Sequence, residues 1–398
     1  MSLLPWSVSV PRYWPEAAAA AEERPIRRWS VLHACDEVGI TATVAEAQIA
    51  SGMRPSILTA RGWYRPLAHQ SDPVSAVSLI HEWQQVRLWR QRLVNELVED
   101  WAEVLHAHCF AAAMAGLRGS AAVVYDLACS LGAGISPKPC AWLLRSLRRA
   151  EQFALSRAGA VVVHSQAMWT QAIQRGVEAQ NLFLVPDPVE PADFIESHDD
   201  RRDATITLFA PGNHHHELLI EAFAALVGEI DNARLLLEAD SERAELLLAQ
   251  AAEAGIVRSV EVISAAQREG ALSQADIVIA SAPGDDSPGA TLISALLHGR
   301  PVLAADVPQH REVTPQGRGC VWYRNDDARD LAGRAAFLAR NRDFRAALAI
   351  SGRAHLQATR GRMVIARKYD DVYRHAFQRW HRDTLDPLRK LEIAQACF

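Results

Sequence analysis

The sequence predicts an α/β protein of two doubly wound parallel-sheet domains joined by a short connector. Three observations carry that prediction. Short apolar runs alternate with longer segments of helical period in two successive series, the pattern of parallel strands with crossover helices. A stretch holding three prolines and a DDRRD charge cluster, Pro186 to Asp203, separates the two series. The chain has 398 residues with 49% hydrophobic content, enough for about two or three domains with full cores.

Residues 1–28 carry Pro5, Pro11, Pro15, Pro25 and an alanine run, and read as an irregular arm. A first domain spans 29–195, with strands at VLHA (31–34), SILT (56–59), EVLHAH (103–108), AVVY (122–125) and AVVVH (160–164). The second spans 204–362, with strands at ITLFA (206–210), RLLLEA (234–239), VEVI (260–263), DIVIA (276–280), PVLAA (301–305) and GCVWY (319–323). In it Gly289 opens the apolar helix Ala290 to Leu297, Gly299 ends that helix, and Pro301 starts a buried strand. Residues 363–398 form a closing helix and tail expected to pack back on the first domain.

The formal charge of −5 and pI near 6.3 argue against a nucleic-acid partner, which calls for a basic stripe or a high domain pI. Met1 to Glu190 balances 17 basic against 17 acidic residues, so the negative excess lies in the second half. Six cysteines at 35, 109, 129, 140, 320 and 397 form no C-x-x-C pair, which fits free thiols in a reducing compartment. The N-terminus lacks a basic n-region, so no secretory signal is expected, and no run of about 18 apolar residues occurs to cross a membrane.

In open parallel sheets, ligands sit at the carboxyl ends of the strands. The candidates in the first domain are therefore Cys35 to Gly39, His106 and His108, and Tyr125 with Asp126. Those in the second are Pro211 to His216, Ser281 to Gly289, and Asp306. The start of the helix at Gly289 and Ala290 presents free N–H groups and the positive end of the helix dipole, a place for an anion. His106 and His108 stand two apart on a strand and share one face. That spacing suits either contact with a sugar or phosphate, or packing and internal hydrogen bonds, and no carboxylate at matching spacing suggests a metal.

The segment SAPGDDSPGATLISALLHGRPVLAADVPQHRE, together with the strand ending in His106-Ala107-His108, the strand-then-serine run AGAVVVHS, the connector Pro186-Asp187-Pro188-Val189, the block TITLFAPGNHHHELLIEAFAAL and the tail RKYDDVYRHAF, resembles family 4 retaining glycosyltransferases. The fit covers most of Ser30 to Phe377. The resemblance implies the GT-B arrangement, in which two Rossmann-like domains face each other across a cleft, with the acceptor on the first and a nucleotide-sugar on the second. It also implies transfer with retention, no metal and no cofactor beyond the nucleotide-sugar donor.

Several positions depart from the family pattern. The two glutamate positions of the donor loop carry Asp286 and Ser294. The lysine position after the first strand of the second domain falls on His214, and the short loop PGN leaves no arginine. Of the usual Gly-Gly turn only Gly39 remains, beside Asp36 and Glu37. Tyr125 stands where a histidine is usual, with Asp126 behind it.

The implied site therefore has His108, Asp126 and Asp286 as catalytic candidates. Gly39, His214, Asp286, Gly289, Ala290 and Ser294 are the donor-binding candidates, and no metal ligands are assigned. Several have a competing structural reading: Asp286 as a helix cap, Asp126 as a cap, the run His214 to His216 as a solvated helix start. The helix PCAWLLRSLRRAEQFALSR (139–157) sets an apolar stripe against Arg145, Arg148, Arg149 and Arg157. It suits either a crossover helix or docking on a membrane that carries a lipid-linked acceptor. The implied function is glycosyl transfer to an unknown glycan or lipid-linked acceptor, in the cytoplasm and at the inner membrane face where the acceptor is lipid-linked. The alternative, supported by the departures together, is a catalytically degraded relative that binds a partner or regulates it.

Overall fold

The structure, a computed structural model, describes residues 25–35, 39–59, 84, 86–91, 93, 102–119, 121–127, 141–189, 205–212, 215–282 and 289–385. Asp36, Glu37, His214, Asp286, most of the N-terminal arm, the connector from 190 to 204 and the tail beyond 385 lie outside the described residues.

Two six-stranded sheets, parallel throughout, organise the chain. The first contains β1 (Ser30–Cys35), β2 (Arg54–Thr59), β3 (Val104–Ala107), β4 (Ala122–Asp126), β5 (Ala160–Val163) and β6 (Leu182–Leu184), in the order β2-β1-β3-β4-β5-β6. Its labelled helices are α1 (Gly39–Ala50), α2 (Phe110–Gly116), α3 (Ala141–Arg157) and α4 (Gln166–Gln174). The second contains β7 (Ile206–Ala210), β8 (Ala233–Glu238), β9 (Val260–Ile263), β10 (Ile277–Ala280), β11 (Val302–Ala305) and β12 (Cys320–Tyr323), in the order β12-β11-β10-β7-β8-β9. Around it lie α5 (His216–Val227), α6 (Ser241–Glu253), α7 (Arg268–Gln274), α8 (Ala290–Leu297), α9 (Pro308–Val313), α10 (Ala328–Arg340) and α11 (Arg342–Arg360). The strand β6 is an addition to the sequence expectation. Its three residues are too few to show a period of their own.

Strand order reverses between β1 and β3 in the first sheet and between β7 and β10 in the second. These two switch points are where crossover helices diverge to opposite sides and leave a crevice at the carboxyl ends. His33 lies in β1 and His106 in β3, directly paired across the first switch point. The carboxyl ends of β7 and β10 flank the second.

The last helix, α12 (Arg362–Leu385), runs onto the face of the first sheet. Its residues Ile365, Tyr369, Val372, Tyr373 and Ala376 recur at helical spacing and are buried against Val31, Val104, Val124 and Val162. At Gly159, a Cβ atom would stand 3.0 Å from the Ala376 backbone, so the absence of a side chain there permits the close approach of α12 to β5. Asp370 secures the helix by accepting from the Trp29 indole at 2.7 Å and from the Arg27 amide at 3.2 Å. The chain leaves and re-enters the first domain side by side, because the Val189 amide donates to Arg360 O at 2.9 Å beside Gly361.

In α3, Leu147, Ala154 and Leu155 are buried while Arg145, Arg148 and Arg149 are exposed, as a crossover helix requires. Cys320 is buried with its Sγ 3.2 Å from the Thr314 hydroxyl. Among the described residues no helix is long and apolar enough to cross a membrane.

Candidate functional site

The period-two alternation of four adjacent strands collects a polar cluster at the carboxyl edge of the first sheet. His33 on β1 pairs with His106 on β3, His106 pairs with Val124 on β4, and Asp126 stands two residues further along the same face. Asp126 pairs with Val162 on β5, and His164 follows two residues later. His108 lies just past the end of β3 rather than within it, with its ring 4.2 Å from that of His106. Tyr125, between Val124 and Asp126, turns to the opposite face and is buried in the core with Leu105, Val123 and Val161. Its proposed place at the crevice is therefore corrected by strand parity. No carboxylate stands at matching spacing along β3 itself, and the neighbouring strand supplies Asp126.

Asp126 is the hub. Its Oδ1 accepts from His164 Nε2 at 2.6 Å, while Oδ2 lies 3.1 Å from His108 Nδ1 and 3.5 Å from His106 Nε2. His33 Nδ1 is 3.0 Å from His108 Nε2, and His33 Nε2 is 2.9 Å from Gln48 Oε1 of α1. Gln48 donates to the Tyr373 hydroxyl of α12 at 2.7 Å, and that hydroxyl is 3.0 Å from His106 Nδ1. His33, Gln48, His164 and Tyr373 did not figure among the sequence candidates. His33 and His164 were legible as strand or strand-end residues in VLHA and AVVVH, and matching strand parity would have grouped them with His106. Gln48 and Tyr373 arrive from helices whose placement no local pattern states.

Both nitrogens of His164 face oxygen acceptors, Asp126 Oδ1 and Val185 O, the latter at 2.8 Å, so the ring is an imidazolium. Burial alone would lower its pKa, but the charge and hydrogen bond of Asp126 win and raise it to about 10. Burial likewise opposes ionisation of Asp126, yet the charge of His164, its hydrogen bond and the close imidazoles of His106 and His108 hold the carboxyl well below its usual range. His33 and His106 are fully buried, and desolvation together with neighbouring imidazoles keeps them neutral, lowering His106 to about 4. The resulting arrangement is one buried ion pair surrounded by neutral imidazoles. His108 and His164 keep an exposed edge, with 11% and 17% of their side chains accessible. Those edges are what a ligand can reach.

On the second sheet the site is mostly backbone. Gly289 adopts φ +84° as the residue before α8, and a side chain there would run into Val313 of α9, so both conformation and space require glycine. Ala290 begins the helix exposed, and Ser294 is half-buried on its second turn. Of the histidine run, His216 starts α5 and is buried, with Nε2 3.1 Å from Gly212 O and from Glu238 O. His215 takes the left-handed position before the helix at φ +59° and lies 3.5 Å from Asp326. These two are structural. Asp306, past β11, is held by Arg311 through two bonds at 2.7 and 2.9 Å, which keeps its carboxyl below the usual range. Gly39 is the first residue of α1, at the switch-point edge of the first sheet.

The two domains also touch beside the crevice. Glu312 of α9 accepts from the Gln166 amide at the start of α4 at 2.7 Å, so a carboxylate from one domain caps a helix of the other. Arg360, whose pKa burial lowers, is drawn to Glu312 and to Asp187. Lys368, lowered to about 8 by burial and then by Arg360, lies beside it. Two cations, Arg360 and Lys368, thus lie at the crossing point between the domains.

Comparison with known families places both halves. The description "Glycosyl transferase 4-like domain" matches residues 40–188 and "Glycosyl transferases group 1" matches residues 205–341. The chain belongs to the family 4-type GT-B glycosyltransferases, with one matched domain on each sheet. No curated protein matches the chain in sequence. Among solved structures, a glycosyltransferase from Rickettsia africae ESF-5 superposes with a TM-score of 0.65 at 12% identity, over 88% of this chain and 99% of that one. HepE of Anabaena in complex with UDP and glucose gives 0.55 at 15% identity, over 86% and 98%. Sucrose-phosphate synthase from Thermosynechococcus elongatus gives 0.59 at 16% identity, over 88% and 100%. These likenesses are of fold: two Rossmann-like domains in the GT-B arrangement.

Proposed function

We propose that the protein transfers a sugar from a nucleotide-sugar donor to a glycan or lipid-linked acceptor, with retention and with no metal on the diphosphate. The observation that carries this reading is Gly289, a position closed to any side chain, opening a helix at the second switch point. The fold neighbour HepE is described in complex with UDP-glucose, which supports a donor of that class.

In this reading the N–H groups at Gly289 and Ala290 hold the leaving diphosphate, whose charge grows as the sugar departs. Preorganised backbone dipoles stabilise that charge without reorganising. Asp286 faces the sugar, His214 assists at the phosphate, and Ser294 stands at the ribose. Gly39 lines the crevice from the first domain. His108 presents its exposed edge to the acceptor side. Asp126 acts through His108 and His164, because its oxygens already meet three imidazoles.

A screen of nucleotide-sugars by calorimetry, followed by nucleotide release with candidate glycan and lipid-linked acceptors, tests the reading. Saturable binding of one donor and acceptor-dependent release are expected. A correctly folded protein that binds no nucleotide-sugar at millimolar donor would overturn it.

A further inference from the structure

The imidazoles of His33, His106 and His108 share an inward arrangement beyond the acceptor-side contact given to the exposed edge of His108. Each ring has one nitrogen committed outward to an oxygen. His33 Nε2 meets Gln48 Oε1 at 2.9 Å, His106 Nδ1 meets the Tyr373 hydroxyl at 3.0 Å, and His108 Nδ1 meets Asp126 Oδ2 at 3.1 Å. The nitrogens that remain are His33 Nδ1, His106 Nε2 and His108 Nε2. One ring nitrogen from each of the three residues lies within 4.8 Å of the others, and His33 Nδ1 is 3.0 Å from His108 Nε2. His106 Nε2 is buried and makes no hydrogen bond; Asp126 Oδ2, 3.5 Å away, is off its bonding geometry. A buried nitrogen without a hydrogen bond calls for a partner.

We propose that these three inward nitrogens bind one divalent transition-metal ion of the zinc class. Imidazole nitrogen is a ligand for zinc and its neighbours in the first transition row, whereas calcium and magnesium take oxygen. With bonds of about 2.0–2.1 Å, a tetrahedral ion sets neighbouring nitrogens roughly 3.4 Å apart, so the His33 to His108 spacing needs to change by only a few tenths of an ångström. Metal-bound histidines characteristically have their second nitrogen held by a carboxylate or another oxygen, and here all three do. Asp126 adds a negative charge next to the ion. Two of the ligands sit on adjacent β1 and β3, paired in register, so the site is built on rigid backbone.

The ion would fasten β1, β3 and the turn after β3. Through Gln48 and Tyr373 it would tie them to α1 and α12. It lies in the first domain, on the other sheet from Gly289, and is not the counter-ion of the diphosphate. Its presence or absence is therefore independent of donor binding.

Titration of the chelator-treated full chain with Co2+, followed by visible absorption, tests the proposal. One equivalent with the d–d bands of a tetrahedral site is expected, displaced by Zn2+, and X-ray absorption of the zinc-loaded protein should show three imidazole nitrogens. His33→Asn and His106→Asn should each weaken binding at least tenfold, and Gln48→Leu should weaken it by about tenfold. His215→Asn should bind as the natural protein does, which separates this site from adventitious binding by the histidine run. Should the folded natural protein take up no stoichiometric Co2+, or should uptake survive both His33→Asn and His106→Asn, the proposal is wrong. The spectra of the natural protein decide the matter even if a variant fails to fold.

Discussion

The two switch points of this molecule are built from opposite materials. At the first, side chains from four strands and two helices interlock: His33, His106, His108, Asp126, His164, Gln48 and Tyr373 account for one another's polar atoms, apart from the inward nitrogen of His106. At the second, what the described residues offer is a glycine, a helix start and a steric wall at Val313. The difference teaches where sequence divergence is tolerated. A backbone site survives the exchange of nearby side chains, so the departures at Ser294 and His214 need not remove phosphate binding. A buried side-chain network changes as a unit, since one missing partner leaves a desolvated charge or an unsatisfied donor.

The largest expected effect falls on the network. Asp126→Asn leaves His164 facing a neutral partner within a buried cluster, and should cost about 3–5 kcal/mol of unfolding free energy, measured by denaturant titration. A loss below about 1 kcal/mol would mean that the ion pair is solvated and that the cluster is not a unit. Gly289→Ala introduces a side chain at φ +84° against Val313, with an expected cost of about 2 kcal/mol and weaker donor binding. Gly289→Ala combined with Val313→Ala should recover part of the stability, and no recovery would place the strain elsewhere.

Ser294→Glu acts in the other direction. A carboxylate there can accept ribose hydroxyl bonds beyond the reach of serine, strengthening nucleotide binding by roughly 1.5–3 kcal/mol, less the cost of fitting a larger side chain. His214→Ala should change nucleotide affinity by only about 1 kcal/mol, one ordinary hydrogen bond. A loss of several kcal/mol would shift the phosphate site from backbone to histidine.

The pH dependence of stability gives an independent view of the first region. His33 and His106 have pKa values held below the ordinary 6.5, so as pH falls below about 6.5 the unfolded chain takes up protons that the folded chain refuses, and stability falls. For His106 that loss runs down to about 4. The contribution of Asp126, whose pKa is depressed, is present above the ordinary carboxylate range and lost below it. His164 has the opposite sense: its contribution is full below about 6.5 and is lost as pH rises towards about 10. Stability should peak near pH 6.5, and His164→Gln should flatten the alkaline decline. An unchanged alkaline limb in that variant would contradict the imidazolium assignment.

Much of the architecture was legible because parallel strands buried on both faces read as continuous apolar runs, and because Gly289 and Gly299 mark the ends of α8. The short β6 carried no such signal. The side-chain site was legible only in pieces. His108 and Asp126 are legible from their strand ends, while Tyr125 shares that strand end but faces the other side by strand parity. Gln48 and Tyr373 are far from His33 and His106 in sequence and meet them only because α12 returns to the first sheet. Asp286 and His214 lie outside the described residues, and their roles rest on the proposed function.

The central claim is that the second-domain backbone at Gly289 holds the donor diphosphate. Calorimetric titration of UDP-glucose into the natural protein and into Gly289→Ala, with folding of both checked by circular dichroism, tests it most directly. Saturable binding by the natural protein and at least a tenfold loss in the variant are predicted, a difference of about 1.4 kcal/mol or more. Equal affinity in the two proteins would contradict the claim.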